Sequence, residues 1–373
     1  MSMKKLSKKM LAVVAAGAMT MGLAMPAFAA DAGEGTKKVT EAYISKTYNT
    51  EVGKAMQFNF TATQDTAGAD LVQKPVACII PSISFTENET GTTKKVSEAI
   101  KFAPFNEAGK YEYTVKETTS EPAITDSKLE KLIMSKAEYK MDVYVVENPV
   151  GTFKVDQIVV NKTKNDKGTD EGGKVDISGD KTKNTFNFVN TYVQEAGTGP
   201  DPSKPDPTYN DNGALKVSKT IAAPEGSIDS SATFNFTATF AFPEGTDANT
   251  LGGVKGNEAD VSLTDGTCTF SLKHGQNMKF TGLPVGTKIT VKETGAANYK
   301  ASASVVLNGG DAKIVAAGKY HEDLTAVNGD NDKLGQNKNT VDVTNTYNHV
   351  PTTGIIALCG AALFGFVAFK RRR

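Results

Sequence analysis

Along residues 215–221, Leu-Lys-Val-Ser-Lys-Thr-Ile, apolar and polar positions alternate with the period of a β-strand, in which successive side chains point to opposite faces. One face carries Leu215, Val217, Lys219 and Ile221, and the other Lys216, Ser218 and Thr220. Lys219 stands in the apolar row, where an ammonium loses its water and needs compensation. Two later strands break the pattern in the same way. Glu293 shares a face with Ile289 and Val291, and Asn345 and Tyr347 share one with Val341 and Val343. A lysine, a glutamate and an asparagine on three inward faces predict one buried polar constellation.

The pattern occurs twice. Upstream, Lys46 shares a face with Ile44, Glu117 one with Tyr111, Tyr113 and Val115, and Asn190 one with Phe186 and Phe188. Short fragments recur almost verbatim: Ser-Lys-Thr at 45–47 and 218–220, and Phe-Asn-Phe-Thr-Ala-Thr at 58–63 and 234–239. Thr-Val-Lys-Glu-Thr follows at 114–118 and 290–294, and Asn-Thr-Tyr at 190–192 and 345–347. Two copies of one domain account for this, with loop insertions shifting the spacing at the ends.

In the first copy, alternation predicts strands at 43–47, 56–63, 76–83, 111–117, 139–147, 153–161 and 184–192. About seven short strands punctuated by Gly, Asn and Pro predict an all-β chain of two tandem immunoglobulin-like sandwiches. Residues 126–136 carry Leu129, Leu132 and Ile133 at helical spacing and read as a short helix or a crossing loop. The expected organisation is a signal peptide at 1–29, a first domain at 30–195, a Pro/Gly-rich linker at 196–213, a second domain at 214–348 and a tail signal at 349–373. The four prolines of the linker make it semi-stiff. The polar stretch 328–339 predicts a long loop.

Composition narrows the function. Lys+Arg and Asp+Glu both number 42 in the 373 residues, so no global charge points to nucleic acid or a membrane surface. Residues 1–29 have the three parts of a secretory signal: Lys4, Lys5, Lys8 and Lys9, an apolar run, and Ala27-Phe28-Ala29 as cleavage site. The three cysteines, Cys78, Cys268 and Cys359, fall singly, which leaves no disulfide within a domain. His274, His321 and His349 are dispersed without metal-ligand spacing. Gly252-Gly253 and Gly309-Gly310 read as turns, not phosphate loops. No cofactor or metal site is expected, and a hydrolytic enzyme is the least supported class. At the other end, Val350-Pro351-Thr352-Thr353-Gly354 precedes fifteen apolar or small residues, 355–369, and then Lys370-Arg371-Arg372-Arg373. The basic end holds such a segment on the cytoplasmic side.

Pentapeptide, apolar stretch and basic tail resemble the sortase sorting signal Leu-Pro-x-Thr-Gly, with Val350 in place of the leading Leu. The repeats resemble the Cna-B-type isopeptide domains (streptococcal pilin isopeptide linkage) of Gram-positive, sortase-assembled major pilins. In that family a first-strand Lys bonds covalently to a last-strand Asn, promoted by a Glu between them. The resemblance assigns Lys46 and Asn190 with Glu117 to the first domain, and Lys219 and Asn345 with Glu293 to the second. It implies cleavage between Thr353 and Gly354, and an acceptor lysine before the last strand of the first domain: Lys183, with Lys181 and Lys162 as alternatives. The expected role is a structural subunit of a covalently polymerised, cell-wall-anchored pilus; the alternative is a monomeric wall-anchored adhesin for a host ligand. The implied partners are sortase, identical subunits and peptidoglycan, then minor pilins and the host surface. The expected location is secreted and bound to the Gram-positive cell wall.

Overall fold

The computed structural model describes residues 38–348 apart from 225 and 330. The expected signal peptide, His349, Cys359 and the tail signal with Thr353 and Gly354 lie outside the described residues. The described chain is all-β, with two immunoglobulin-like sandwiches in tandem and one four-residue helix, Tyr209–Asn212.

In the first sandwich, a four-stranded sheet runs in the order Gly91–Val96, Ser45–Thr50, Asn187–Gln194, Glu130–Ile133. It faces a six-stranded sheet ordered Asp170–Lys174, Phe153–Lys164, Glu138–Glu147, Gly109–Glu121, Met56–Asp65, Ile83–Phe85. The second sandwich has a seven-stranded sheet whose middle is Asn277–Thr281, Leu215–Ala222, Thr340–Tyr347 and Tyr299–Val306. Opposite lie Thr267–Lys273, Thr233–Ala241, Lys288–Glu293 and Leu324–Val327.

One topological feature positions the buried polar residues. In each sandwich the opening and closing strands are neighbours and parallel: Ser45–Thr50 beside Asn187–Gln194, and Leu215–Ala222 beside Thr340–Tyr347. The strands between them return the chain, so each unit is entered at one end and left at the other. Both closing strands are also paired on their far side, to Glu130–Ile133 and to Tyr299–Val306. Leu215, Val217, Lys219 and Ile221 are all buried, whereas Lys216, Ser218 and Thr220 are not, which is the period-two pattern expected for a strand with one inward face.

Three sequence expectations change. Residues 126–136 contain a strand, Glu130–Ile133, because its edge pairs with the closing strand; the helical spacing of Leu129, Leu132 and Ile133 does not decide its shape. The stretch expected as one strand at 76–83 divides into Cys78–Ile79 and Ile83–Phe85, with Pro81, which has no N–H to donate, between them. Residues 196–213 do not form a semi-stiff tether but a packed junction: Ala196 and Thr198 are fully buried. Gly197 has φ 80°, and a Cβ there would lie 2.4 Å from the Gly213 carbonyl oxygen, so its glycine permits close backbone approach. The Ala196 N–H donates to Leu283 and the Val285 N–H to Gln194, joining the two units by a short antiparallel pairing. Glu195 is buried there, accepting from the Tyr209 hydroxyl at 2.7 Å and the Gly282 N–H at 2.8 Å. Its burial pushes the carboxyl up to about 7. The loop expected at 328–339 carries no regular strand, but its Leu334 and Asn339 are buried against the second unit.

Candidate functional site: two buried Lys-Glu-Asn trios

Each unit places one trio between its sheets. Lys46 and Asn190 come from the adjacent parallel strands of one sheet, and Glu117 reaches them from the other. Lys46 is opposite Phe188 in the register, and Asn190 is opposite Tyr48, so the pair lies on a diagonal two residues long. The second unit repeats this offset, with Lys219 opposite Val343 and Asn345 opposite Ile221. Side chains two apart share a face of a strand, so both members of each pair point inward at neighbouring positions.

The glutamates arrive through equivalent pairings. Glu117 is opposite Phe60 and Glu293 is opposite Phe236. In the first unit a register shift next to Phe60 intervenes, an irregularity of the kind that re-aims a side chain. Phe58 and Phe234, the first residues of the verbatim repeat, lie under the lysines, with Nζ 4.4 Å and 4.2 Å from their ring centroids. That repeat is therefore the aromatic floor of the site, a role its alternation alone did not disclose.

The contacts within each trio are short. Lys46 Nζ donates to Glu117 Oε2 at 2.9 Å, and Asn190 Nδ2 donates to Glu117 Oε1 at 2.7 Å. Lys219 Nζ lies 3.0 and 2.9 Å from the two Glu293 oxygens, and Asn345 Nδ2 donates to Oε1 at 2.6 Å. The Lys46 and Glu117 side chains are 0% exposed, and those of Lys219 and Glu293 are 0% and 2%. Burial lowers both lysines to about 8, against the opposing pull of their glutamates. Burial also raises both glutamates, against the opposing effect of the lysine and the asparagine amide. Both shifts bring each pair closer to its neutral form, an amine with a free lone pair beside a protonated carboxyl. A buried ion pair gains little net stability from its Coulomb attraction.

The arrangement can carry an amide exchange. The lysine amine attacks the asparagine Cγ, the Cγ–Nδ2 bond breaks, and ammonia leaves. The glutamate gives its proton to the departing nitrogen and takes one from Nζ, so it ends as it began. In this geometry each glutamate faces the amide nitrogen, the leaving group, and not the carbonyl.

The remaining sequence candidates lie elsewhere. Lys183 is on the loop before the first closing strand, its side chain 72% exposed and 3.7 Å from Asp180. Lys181 is exposed on the same loop, while Lys162 is largely covered and 3.4 Å from Glu171. His274 Nδ1 accepts the Ile221 N–H at 2.9 Å and His321 Nδ1 the Asn298 N–H at 3.3 Å, so both serve the backbone. Among the described residues no cluster of His, Cys, Asp and Glu is placed to hold a metal ion, and no helix is long and apolar enough to cross a membrane. The residues that sequence reasoning missed are Ser135 and Asp166. The Ser135 N–H donates to Asn190 Oδ1 at 2.7 Å, and Asp166 holds Ser135.

Residues 213–347, the second sandwich, match a family described as a domain of unknown function (DUF7601). The chain is 32% identical over 113 residues to the pilus tip adhesin Cpa of Streptococcus pyogenes, a match covering 30% of this chain and 16% of that protein's length. The solved major pilin of Streptococcus pyogenes aligns with 82–83% of the chain and 99% of its own length in two of its structures, at 20% identity and a TM-score of 0.32. A pilus-presented adhesin aligns over 83% of the chain and 99% of its own, at 10% identity and a TM-score of 0.27.

Proposed function

We propose that each sandwich joins its own lysine to its own asparagine, Lys46 to Asn190 and Lys219 to Asn345, and that the chain is a structural subunit of a covalently assembled, wall-anchored pilus. The observation that carries this reading is the recurrence of one trio at one diagonal of one strand pair in both units. A single buried lysine beside a glutamate is an ordinary ion pair. Two such sites, each with an amide nitrogen donating to the same carboxylate that holds the lysine, suit a reaction that happens once per domain. Folding supplies the high effective concentration that such a reaction needs. The sequence similarity to a pilus adhesin supports a pilin-type structural or adhesin role. Sortase would cut between Thr353 and Gly354 and pass Thr353 to a lysine of the next subunit or to the peptidoglycan precursor.

A second reading, a wall-anchored adhesin that stays monomeric, is favoured by the name of that relative. It shares the internal bonds and differs only in what receives Thr353.

The mass of the soluble region, residues 30–348, tests the chemistry that both readings share. It is expected to fall short of its sequence mass by two ammonia molecules. Glu117→Ala and Glu293→Ala each restore one, and the double variant restores both. A full sequence mass in the folded wild-type protein removes the isopeptide reading.

A further inference from the structure

The two trios differ at one atom. Asn190 Oδ1 accepts the Ser135 N–H at 2.7 Å. Asn345 Oδ1 is buried and has no hydrogen-bond partner among the described residues. The cause lies in the strand on the far side of each closing strand. In the first unit that neighbour ends at Ile133, opposite Thr191, and the chain bends so that Ser135 turns its N–H onto the amide of Asn190. In the second unit the neighbour, Tyr299–Val306, runs on past Asn345, which is opposite Ala301, and remains in register.

A carboxylate fixes the bend. Asp166 Oδ1 accepts the Ser135 hydroxyl at 2.6 Å and the Val189 N–H at 2.8 Å, and its backbone carbonyl accepts the Lys136 N–H at 3.0 Å. The Ser135 hydroxyl oxygen accepts the Ala137 N–H at 3.1 Å. The bend is therefore tied to the loop of Asp166 and, through it, to the closing strand one residue before Asn190.

Two chemical consequences follow. A backbone N–H can only donate, so the oxygen end of the Asn190 amide must face Ser135 and the nitrogen end must face Glu117. The leaving group thus points at its proton source before reaction begins. When Nζ adds to Cγ, negative charge collects on Oδ1, where a donor is already in place. Such preorganised donors stabilise a developing oxyanion most effectively where water is excluded.

We propose that the Ser135 N–H is the oxyanion donor for bond formation in the first unit, that Asp166 is its positioning residue, and that the second unit, lacking such a donor, cross-links more slowly. The inference rests on the isopeptide reading above.

The test is a cell-free synthesis of residues 30–348, chased after a short pulse, with ammonia loss in each unit followed by peptide mass. In the wild-type chain the first unit is expected to react on the order of tenfold or more faster than the second. Asp166→Ala slows the first unit by about the same factor, whereas Asp166→Asn, which keeps an acceptor oxygen for Ser135 and Val189, restores the rate. The second unit's rate is the internal control and does not move. An ester in place of the backbone amide at Ser135, made by incorporating a 2-hydroxy acid, removes only the N–H and is expected to slow the first unit alone. Equal rates in the two wild-type units overturn the inference and leave the isopeptide reading standing. So does an ester variant that reacts at the wild-type rate, or an Asp166→Asn variant as slow as Asp166→Ala. Ammonia loss from neither unit overturns both.

Discussion

The chemistry of each trio is set by how many protons the lysine and glutamate share. The neutral pair and the ion pair both hold the one proton that the proposed reaction would relay, so its rate is expected to depend on keeping that proton. Burial lowers Lys46 and Lys219 to about 8 and raises Glu117 and Glu293. Below the glutamate's range the pair gains a second proton and the amine loses its lone pair. Above about 8 the pair loses its last proton, and nothing remains to protonate the leaving nitrogen. The cross-linking rate of folded chain is therefore expected to follow a bell, with its upper limb near pH 8. Pulse-chase mass spectrometry across pH 5–10 measures it. A rate that continues to climb above pH 9 would mean that a free amine suffices without the glutamate's proton. Lys219 and Glu293 were legible in the sequence because each breaks an apolar row. Ser135 and Asp166 were not, because the first acts through its backbone and the second lies in a loop without periodicity.

At the level of elements, the parallel opening and closing strands would give each proposed bond its leverage. Joining Lys219 to Asn345 closes a loop of more than a hundred residues, which constrains the unfolded chain by about 4–5 kcal/mol in the chain-entropy account. Lys219→Met removes the nucleophile while keeping an apolar side chain of similar length on the Phe234 ring. Its second unit is expected to melt roughly 10–20 °C lower, seen as a separate early transition in calorimetry. Unchanged melting would mean that no covalent link spans the sheet. The strands that carry the trios were legible because each has one buried and one solvated face. Gly91–Val96 was not, since Gly-Thr-Thr-Lys-Lys-Val has no alternation and is a strand only through pairing with Ser45–Thr50. Nor was the packed junction, because the glycines and prolines of 196–213 suit a loose tether and a close backbone approach equally well.

For the whole molecule, direction matters most. The first closing strand runs from Asn187 toward Gln194 at the junction, and the second opening strand starts from that junction at Leu215. Tyr347 accordingly ends the second closing strand at the far end of the molecule, while the loop of Lys183 lies at the opposite end, beside the start of Ser45–Thr50. A closing strand that ends at one end and an exposed amine at the other would suit the proposed head-to-tail joining. Boiling wall extracts in detergent is expected to release a ladder of covalent multimers. That ladder collapses to monomer in Lys183→Arg and persists in Lys46→Ala. A ladder indifferent to Lys183→Arg moves the acceptor to Lys181 or Lys162, and a single monomer band in wild-type cells favours the adhesin.

The placement of the closing strand also governs the order of events while the chain is being made. Synthesis runs from the N-terminus, so Lys46 and Glu117 emerge long before Asn190. The slot between Ser45–Thr50 and Glu130–Ile133 stays open until Asn187–Gln194 arrives to pair on both sides. An open slot of this kind exposes two strand edges to any stray segment, and its native contact is among the most distant in the domain, which slows closure. The proposed cross-link would then fix the outcome. On the proposed chemistry, each domain would be locked only once its last strand has arrived, so the first could be sealed before the second is complete.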